Sequence, residues 1–208
     1  MRISYNASME KGLSLNGDAE RVLLQQEDGT WLFRTNVDSF IADIDESLEL
    51  RWEDGQVIPL RYRYKLSGLF VKNREQAIDF DWEAGNATGH YRGKPFSMKL
   101  KNNTLDPMGY QLQLLQDIKA GKTRMSYSVL EKARYDEDVF AIVGEERIDT
   151  GSGALKTVKA EKVREDESKR ETLMWFAPDQ EYVLVRLLQV QPDGSRYEIT
   201  LDQARFPD

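Results

Sequence analysis

Leu-Asp-Pro-Met-Gly-Tyr-Gln-Leu-Gln-Leu-Leu-Gln-Asp-Ile-Lys-Ala-Gly, residues 105–121, decides the fold because it departs from the two-residue alternation found in the rest of the chain. Asp106 is suited to cap a helix, Pro107 to open it and Gly121 to end it. Apolar residues at helical spacing give the segment one broad face that requires burial, namely Met108, Tyr110, Leu112, Leu114, Leu115 and Ile118. The stretch therefore predicts one principal helix over about 107–120.

Segments on both sides of this helix alternate apolar and polar residues, which is typical of strands with one dry face. In the clearest case, from Leu60 to Leu66, a slip of one residue would bury three cations, so we expect a firmly set register. Turn signals such as Asp28-Gly29 and Asp54-Gly55 separate the segments. Strands are predicted at 3–11, 15–26, 31–39, 48–52, 60–66, 74–82, 96–100, 124–132, 137–148, 154–164, 170–176, 182–191 and 196–203.

This succession of short strands and turns predicts a mainly β fold. We expect a large curved antiparallel meander sheet or an incomplete barrel, with the helix packed on its concave side. The chain of 208 residues is long enough for one sizeable core, and no stretch rich in Pro, Gly and Ser divides it. The prediction is therefore a single β-rich domain over residues 1–208.

Composition excludes several classes of function. A net charge of −7 and a pI near 5.0 argue against a nucleic-acid partner, since such binding is driven by basic surfaces. The absence of cysteine excludes thiol catalysis, disulfides and thiolate metal sites. No apolar run approaches the roughly 20 residues of a transmembrane segment, and the opening Met-Arg-Ile-Ser-Tyr lacks the apolar centre of a secretory signal. The protein is expected to be cytosolic, or exported with its leader removed.

The few groups that could act in catalysis each have a simpler structural interpretation. Asp79, Asp81 and Glu83 lie two residues apart and could bind a cation or share acid and base roles, but a strand places such a row on its solvated side. His90 lies in a polar segment without a second imidazole to complete a metal site. Ser152 lacks the flanking residues of a nucleophile elbow and indicates a hairpin turn. With no phosphate-binding glycine loop either, we predict no catalytic, cofactor-binding or metal-binding residues.

Aromatic and aliphatic side chains share faces of several strands, and two interpretations stay open. The face is either a filled core or wider than one helix can cover, in which case an apolar ligand cavity remains. The residues predicted to line such a cavity are Phe80, Trp82, Met98, Leu112, Leu115 and Trp175.

A series of spaced residues gives the chain a resemblance to a known family. The series comprises Asp79-Phe80-Asp81-Trp82, Leu105-Asp106-Pro107, Gly144, Glu146, Thr150, Gly153, Thr157, Arg170, Thr172, Trp175-Phe176-Ala177-Pro178-Asp179 and Asp193-Gly194. In this order and spacing, nearly the whole chain resembles bacterial proteins catalogued as domain of unknown function 3108. The resemblance implies export to the periplasm or cell envelope and implies no activity.

These observations lead to one functional expectation and two alternatives. We expect a non-enzymatic binding protein of the bacterial envelope with an apolar cavity for a lipid-like or other amphiphilic ligand, by analogy of fold with half-barrel lipoprotein carriers. The first alternative is an interaction module that joins an envelope protein complex through a sheet edge or face. The second is a carboxylate-dependent hydrolase using the row at Asp79, Asp81 and Glu83, with acids roughly 5 to 10 Å apart.

Overall fold

The computed structural model describes residues 1–10, 14–39, 42–69, 71–163 and 170–206, with only the backbone of residues 14 and 15. Within these ranges the chain forms fourteen strands, one α-helix and a short 3-10 helix at Pro178–Gln180. The elements are β1 (Arg2–Glu10), β2 (Ser14–Gln25), β3 (Trp31–Ser39), β4 (Asp43–Glu53), β5 (Gln56–Ser67), β6 (Arg74–Asp81), β7 (Asn86–Tyr91), β8 (Lys94–Lys99), α1 (Gly109–Lys119), β9 (Arg124–Glu131), β10 (Arg134–Thr150), β11 (Gly153–Lys162), β12 (Glu171–Ala177), β13 (Val183–Val190) and β14 (Arg196–Arg205).

The described strands form one antiparallel sheet in the order β8-β7-β6-β5-β4-β3-β2-β1-β14-β13-β12-β11-β10-β9. Consecutive strands from β1 to β8 are neighbours, and so are consecutive strands from β9 to β14, while β14 lies beside β1. The helix α1 connects the two series of strands. The predicted fold class, a mainly β antiparallel meander with one principal helix, is confirmed.

Each predicted strand overlaps an observed one, but β7 is absent from the prediction. His90, whose polar surroundings in the sequence do not indicate a strand, belongs to β7 and pairs with Ala77 and Pro95 within the sheet. The apolar stripe of β7 is inconspicuous because it contains Ala87 and Gly89. A Cβ at Gly89 would lie 1.9 Å from the Ala77 carbonyl oxygen. The close approach of β6 to β7 at this position therefore allows only glycine. The sequence also indicates turns at Gly12 and at 165–168, and these positions lie outside the described residues.

Asp106 caps α1 as its sequence position predicts. Its Oδ1 accepts hydrogen bonds from the backbone N–H groups of Met108, at 2.9 Å, and Gly109, at 3.1 Å. A Cβ at Gly109 would lie only 2.7 Å from Asp106 Oδ2, so the glycine allows the carboxylate to approach the helix end closely. The observed helix begins two residues later than the predicted range of 107–120 and ends one residue earlier.

The buried face of α1 differs from the predicted face at two polar positions. Most of the predicted apolar residues are buried, but Leu115 is half-buried. Gln113 and Asp117, which the apolar spacing did not include, are 3% and 7% exposed. Gln113 Oε1 accepts a hydrogen bond of 2.8 Å from the backbone N–H of Val57, and this bond makes its burial favourable.

The chain divides into two compact units, each made of separate segments. Unit 1 comprises Met1–Glu20, Leu115–Ser126 and Asp138–Asp208, and unit 2 comprises Arg21–Leu114 and Tyr127–Glu137. Fully buried side chains in unit 1 include Tyr5, Phe140, Met174, Phe176 and Leu201, and those in unit 2 include Leu48, Leu50, Ile78 and Met108. The single-domain organisation stays a prediction. Among the described residues, no helix combines the length and the apolar character that a membrane crossing requires.

Candidate functional site

One face of the sheet in unit 2 begins with a filled apolar row. In strands β3 to β6, Phe33 lies opposite Leu48, Leu48 opposite Tyr62, and Tyr62 opposite Ile78. All four side chains are buried. We call these four residues the apolar row and the face that carries them the inner face. The apolar row is part of the packed core of unit 2.

The next row on the inner face is polar. Each of its residues lies two positions from the apolar row on the same strand, on the side away from the filled core. Thr35 lies opposite Glu46, Glu46 opposite Tyr64, and Tyr64 opposite Gln76. We call these four residues the polar row. Thr35 and Gln76 are only 6% and 4% exposed, whereas Glu46 and Tyr64 are half-buried. Polar side chains are uncommon on the buried face of a sheet, so this row requires a structural or functional reason.

A third row completes the burial gradient of the inner face. Val37 lies opposite Ile44, Ile44 opposite Leu66, and Leu66 opposite Arg74, and all four side chains are half-buried. We call them the mouth row. Exposure increases from the apolar row through the polar row to the mouth row. Within the polar row, Glu46 and Tyr64 are the partly exposed members, while Thr35 Oγ1 and Gln76 Nε2 are shielded from solvent.

Glu46 is oriented by a hydrogen bond from Tyr62, a residue of the apolar row. The hydroxyl of Tyr62 donates a hydrogen bond of 2.5 Å to Glu46 Oε1. Burial raises the pKa of Glu46, while this hydrogen bond and the positive charge of Arg21 act to lower it. Burial and the adjacent carboxylate raise the pKa of the Tyr62 hydroxyl well above its ordinary value. The hydroxyl therefore stays protonated and remains the donor of the pair.

Two atoms of the polar row lack a hydrogen-bond partner among the described residues. They are Oγ1 of Thr35 and Nε2 of Gln76. The other amide atom of Gln76, Oε1, accepts a hydrogen bond of 3.1 Å from the backbone N–H of Lys132 in the β9–β10 turn. Buried polar atoms are nearly always hydrogen-bonded, and leaving one unsatisfied costs about 1–3 kcal/mol. These two atoms are therefore positions at which a bound polar group would be stabilised.

Asp106 is a buried carboxylate in the same unit. Its side chain is fully buried, Oδ1 caps α1, and Oδ2 has no hydrogen-bond partner among the described residues. Burial raises the pKa of Asp106 to about 7, opposed by the N–H groups of Met108 and Gly109 and reinforced by the charge of Glu46. Asp106 therefore changes charge near neutral pH.

The predicted cavity residues in unit 2 lie on its inner face or on α1. Phe80 is 8% exposed and stacks on half-buried Trp82, with ring centroids 6.2 Å apart. The indole N–H of Trp82 donates a hydrogen bond of 2.7 Å to the Pro59 carbonyl. Met98 is half-buried opposite Ala87, and Leu112 is 6% exposed on α1. Their role as ligand contacts stays a prediction.

The remaining two cavity candidates, Leu115 and Trp175, belong to unit 1. Trp175 is 2% exposed, and its indole N–H donates a hydrogen bond to the carboxylate of Glu146. Lys159 Nζ and Arg186 Cζ lie over the ring, 5.0 and 4.8 Å from its centroid. Polar contacts thus engage both the indole N–H and the ring, and the role of Leu115 and Trp175 as ligand contacts stays a prediction.

The residues considered for catalysis lie apart from the polar row. Asp79, Asp81 and Glu83 are exposed, and Asp79 forms an ion pair of 2.6 Å with Arg63. Ser152 lies in the β10–β11 turn, where its hydroxyl donates a hydrogen bond to a backbone carbonyl. In the part of the chain that the structure describes, no group of three or more His, Asp or Glu side chains is placed to hold a metal ion.

Unit 1 carries a separate surface depression of about 410 Å³. It is lined by Asn6, Ala7, Ser8, Asn16, Gly17, Asp18 and Thr200. Asn6, Asn16 and Asp18 are exposed, so the lining consists largely of solvated polar groups. The inner face of unit 2 is the stronger candidate site because it combines burial with unsatisfied polar atoms.

Sequence reasoning missed the polar row, although part of its signal is visible. Glu46 is in phase with the apolar Leu48 and Leu50, and Gln76 is in phase with Ile78 and Phe80. One polar residue in an apolar stripe is unremarkable in a single strand. Only the pairing register places such residues in one row across neighbouring strands.

The fold and the inner face define a β-rich protein in which strands of an antiparallel meander carry a polar row on a buried face. The chain belongs to the family of proteins of unknown function designated DUF3108, whose model matches residues 15–202. The resemblance found in the sequence is thereby confirmed. No curated protein matches the chain.

Solved structures similar to the chain include the following two. The β-barrel-like protein of domain of unknown function DUF1849 from Brucella abortus is 11% identical, with a TM-score of 0.64 over 96% of this chain and 94% of that one. At this identity the likeness concerns the fold alone. MucB, in its complex with MucA(peri), is 12% identical with a TM-score of 0.33 over 100% of this chain and 52% of that one.

Proposed function

We propose that the protein is a non-enzymatic binding protein for an amphiphilic ligand, which it holds on the inner face of unit 2. The supporting observation is the position of the polar row, which lies between a filled apolar row and a half-buried, largely aliphatic mouth row. An amphiphile matches this order because its head meets polar groups while its tail covers aliphatic ones.

The order of the rows also supports one orientation of the ligand. The apolar row is filled by protein side chains, so the tail does not extend in that direction. The half-buried aliphatic side chains of Val37, Ile44 and Leu66 lie on the other side of the polar row. In the proposed mode the head group therefore enters first, and the alkyl tail lies along the mouth row, where burial of apolar surface stabilises it.

Substitutions in the mouth row test this function. Ile44→Gln is expected to weaken binding of a fluorescent dodecyl amphiphile by about tenfold, because the tail loses an apolar contact worth roughly 1.5 kcal/mol. Ile58 is a half-buried isoleucine of the opposite face, so Ile58→Gln is the matched control and should bind like the unaltered protein. Fluorescence titration measures both affinities. Equal loss in both variants, or no binding by the unaltered protein, would contradict the proposal.

The envelope location is a further part of the proposal, and it rests on the family resemblance alone. Fractionation of the native bacterium, followed by immunoblotting, should find the protein in the periplasmic or membrane-associated fraction. Its recovery in the cytosolic fraction would exclude this location.

A further inference from the structure

We propose that the polar row selects an uncharged, hydroxyl-rich head group of the glycosyl class, so that the ligand is a neutral glycolipid-like amphiphile. This inference rests on the proposed function and adds the chemical class of the head group.

The polar row presents both donors and acceptors of hydrogen bonds. The Thr35 and Tyr64 hydroxyls both donate and accept, the Glu46 carboxylate accepts when ionised, and the Gln76 amide supplies a donor at Nε2. The nine-tenths-buried side chains of Thr35 and Gln76 each bring an atom without a partner to this row. Sugar hydroxyls donate and accept, so one head group satisfies this mixed set. The acceptors of a carboxylate or phosphate head match the Thr35 hydroxyl and the Gln76 N–H, but such a head offers no donor to Glu46.

The charges around the polar row also bear on the head group. The polar row contains one carboxylate, Glu46, and no cation. Glu131, whose negative charge also acts on Glu46, forms an ion pair of 2.5 Å with Lys132. The positive charge of Arg74 in the mouth row acts on Tyr64. An anionic head group in the polar row would lie beside the Glu46 carboxylate, which repels it. A cationic head group would compete with the positive charge of Arg21 and with the Tyr62 hydroxyl already bound to Glu46. A neutral head group avoids both costs.

The length of the polar row and its tyrosine ring suit a sugar head group. Adjacent strands lie about 4.8 Å apart, so the row from β3 to β6 extends over roughly 14 Å, longer than a glycerol and comparable to a disaccharide. The register continues the row to Tyr91 of β7, which lies opposite Gln76 and is half-buried, as Tyr64 is. Tyr64 offers an aromatic face on which the apolar face of a sugar ring can pack, whereas the Tyr91 ring already has Arg92 Cζ over it, 5.2 Å from its centroid.

The test compares three amphiphiles that share a dodecyl chain and differ in their head groups. Dodecyl maltoside is neutral, dodecanoate anionic and dodecyltrimethylammonium cationic. Each is titrated, below its micelle concentration, as a competitor of the fluorescent dodecyl amphiphile. The maltoside is expected to bind at least about tenfold more tightly than either charged amphiphile, a difference of about 1.4 kcal/mol.

Variants of the polar row assign this preference to its residues. Thr35→Val removes the hydroxyl and nearly preserves the shape of the side chain, and Gln76→Leu removes the amide. Each is expected to weaken maltoside binding by about tenfold and to narrow the difference in affinity between the maltoside and dodecanoate. Thr88→Val and Gln56→Leu, at exposed positions of β7 and β5, are the matched controls and should leave all affinities unchanged. Thr35→Val keeps the test decisive if Gln76→Leu, which also loses the Lys132 contact, fails to fold.

The outcomes separate the inference from the proposed function. Equal affinity for the three amphiphiles, or a preference for a charged one, would overturn the glycosyl inference while leaving amphiphile binding intact. A maltoside preference that persists in Thr35→Val and Gln76→Leu would also overturn it. Loss of all dodecyl binding would instead show that the proposed function is wrong.

Discussion

At the scale of single residues, Asp106 combines two properties in one side chain. Its Oδ1 satisfies two free N–H groups at the start of α1, which stabilises the helix. Its complete burial makes the ionised form unfavourable and raises its pKa from 3.8 to about 7. The capping function was predictable from its position before Pro107. The raised pKa depends on burial by residues distant in the sequence and was not predictable.

The raised pKa of Asp106 gives stability a definite pH dependence. Between about pH 4 and 7 the folded protein retains a proton that the unfolded chain releases, so this residue lowers stability as pH rises through that window. Asp106→Asn keeps an oxygen acceptor for the helix end and has no proton to lose. In the unaltered protein, Asp106 lowers the free energy of unfolding by up to about 1.4 kcal/mol for each pH unit of this window. The Asp106→Asn variant should not show this contribution.

Urea denaturation at a series of pH values between 4 and 7 measures this slope. Asp149→Asn, which alters an exposed carboxylate of β10, is the control and should keep the slope of the unaltered protein. An unchanged slope in Asp106→Asn would show that Asp106 is ionised throughout the window.

At the scale of elements, α1 shows what local sequence can and cannot predict. Its existence and approximate ends follow from Asp106, Pro107, Gly121 and the apolar spacing, all of which are local signals. The burial of Gln113 does not follow from them, because its partner Val57 is 56 positions away. The polar row was missed for the same physical reason, since it exists only when neighbouring strands are in register.

The contact of Gln113 with β5 predicts an unusual response to substitution. Gln113→Leu supplies an apolar helix former, but leaves the backbone N–H of Val57 buried without this acceptor. We expect the free energy of unfolding to fall by about 1–3 kcal/mol, as measured by chemical denaturation. Gln116→Leu, at a half-buried position of the same helix, should change stability by less than about 0.5 kcal/mol. A Gln113→Leu variant as stable as the unaltered protein would show that this hydrogen bond does not stabilise the packing of α1.

At the scale of the whole molecule, the ends of the strand order bear on the interaction-module alternative. The strand β8 at one end carries Lys94, Pro95 and Lys99. The two lysine charges and the missing N–H of the proline disfavour pairing of this edge with another chain. At the other end, Leu105 forms an isolated parallel bridge to Val129 of β9, so part of that edge is covered. A partner that adds a strand would meet these obstacles, whereas a ligand on the inner face of unit 2 would not.

The mainly β fold was predictable because alternation and turn chemistry recur along the chain. The position of the site was not. The sequence directed attention to aromatic residues such as Phe80 and Trp175, while the structure draws attention to a polar row that no single strand reveals. We propose that this inner face of unit 2 holds an amphiphile with its tail along the mouth row.

Photocrosslinking tests this claim most directly. A dodecyl maltoside with a diazirine in its alkyl chain is bound, irradiated and mapped by mass spectrometry of tryptic peptides. Cleavage after arginine and lysine separates Ile44, in peptide 35–51, and Leu66, in peptide 66–72, from the outer-face Ile58, in peptide 52–61. The account predicts label on Ile44 and Leu66, reduced by excess unlabelled maltoside. Label concentrated on Ile58, or spread over unit 1 and insensitive to competition, would contradict it.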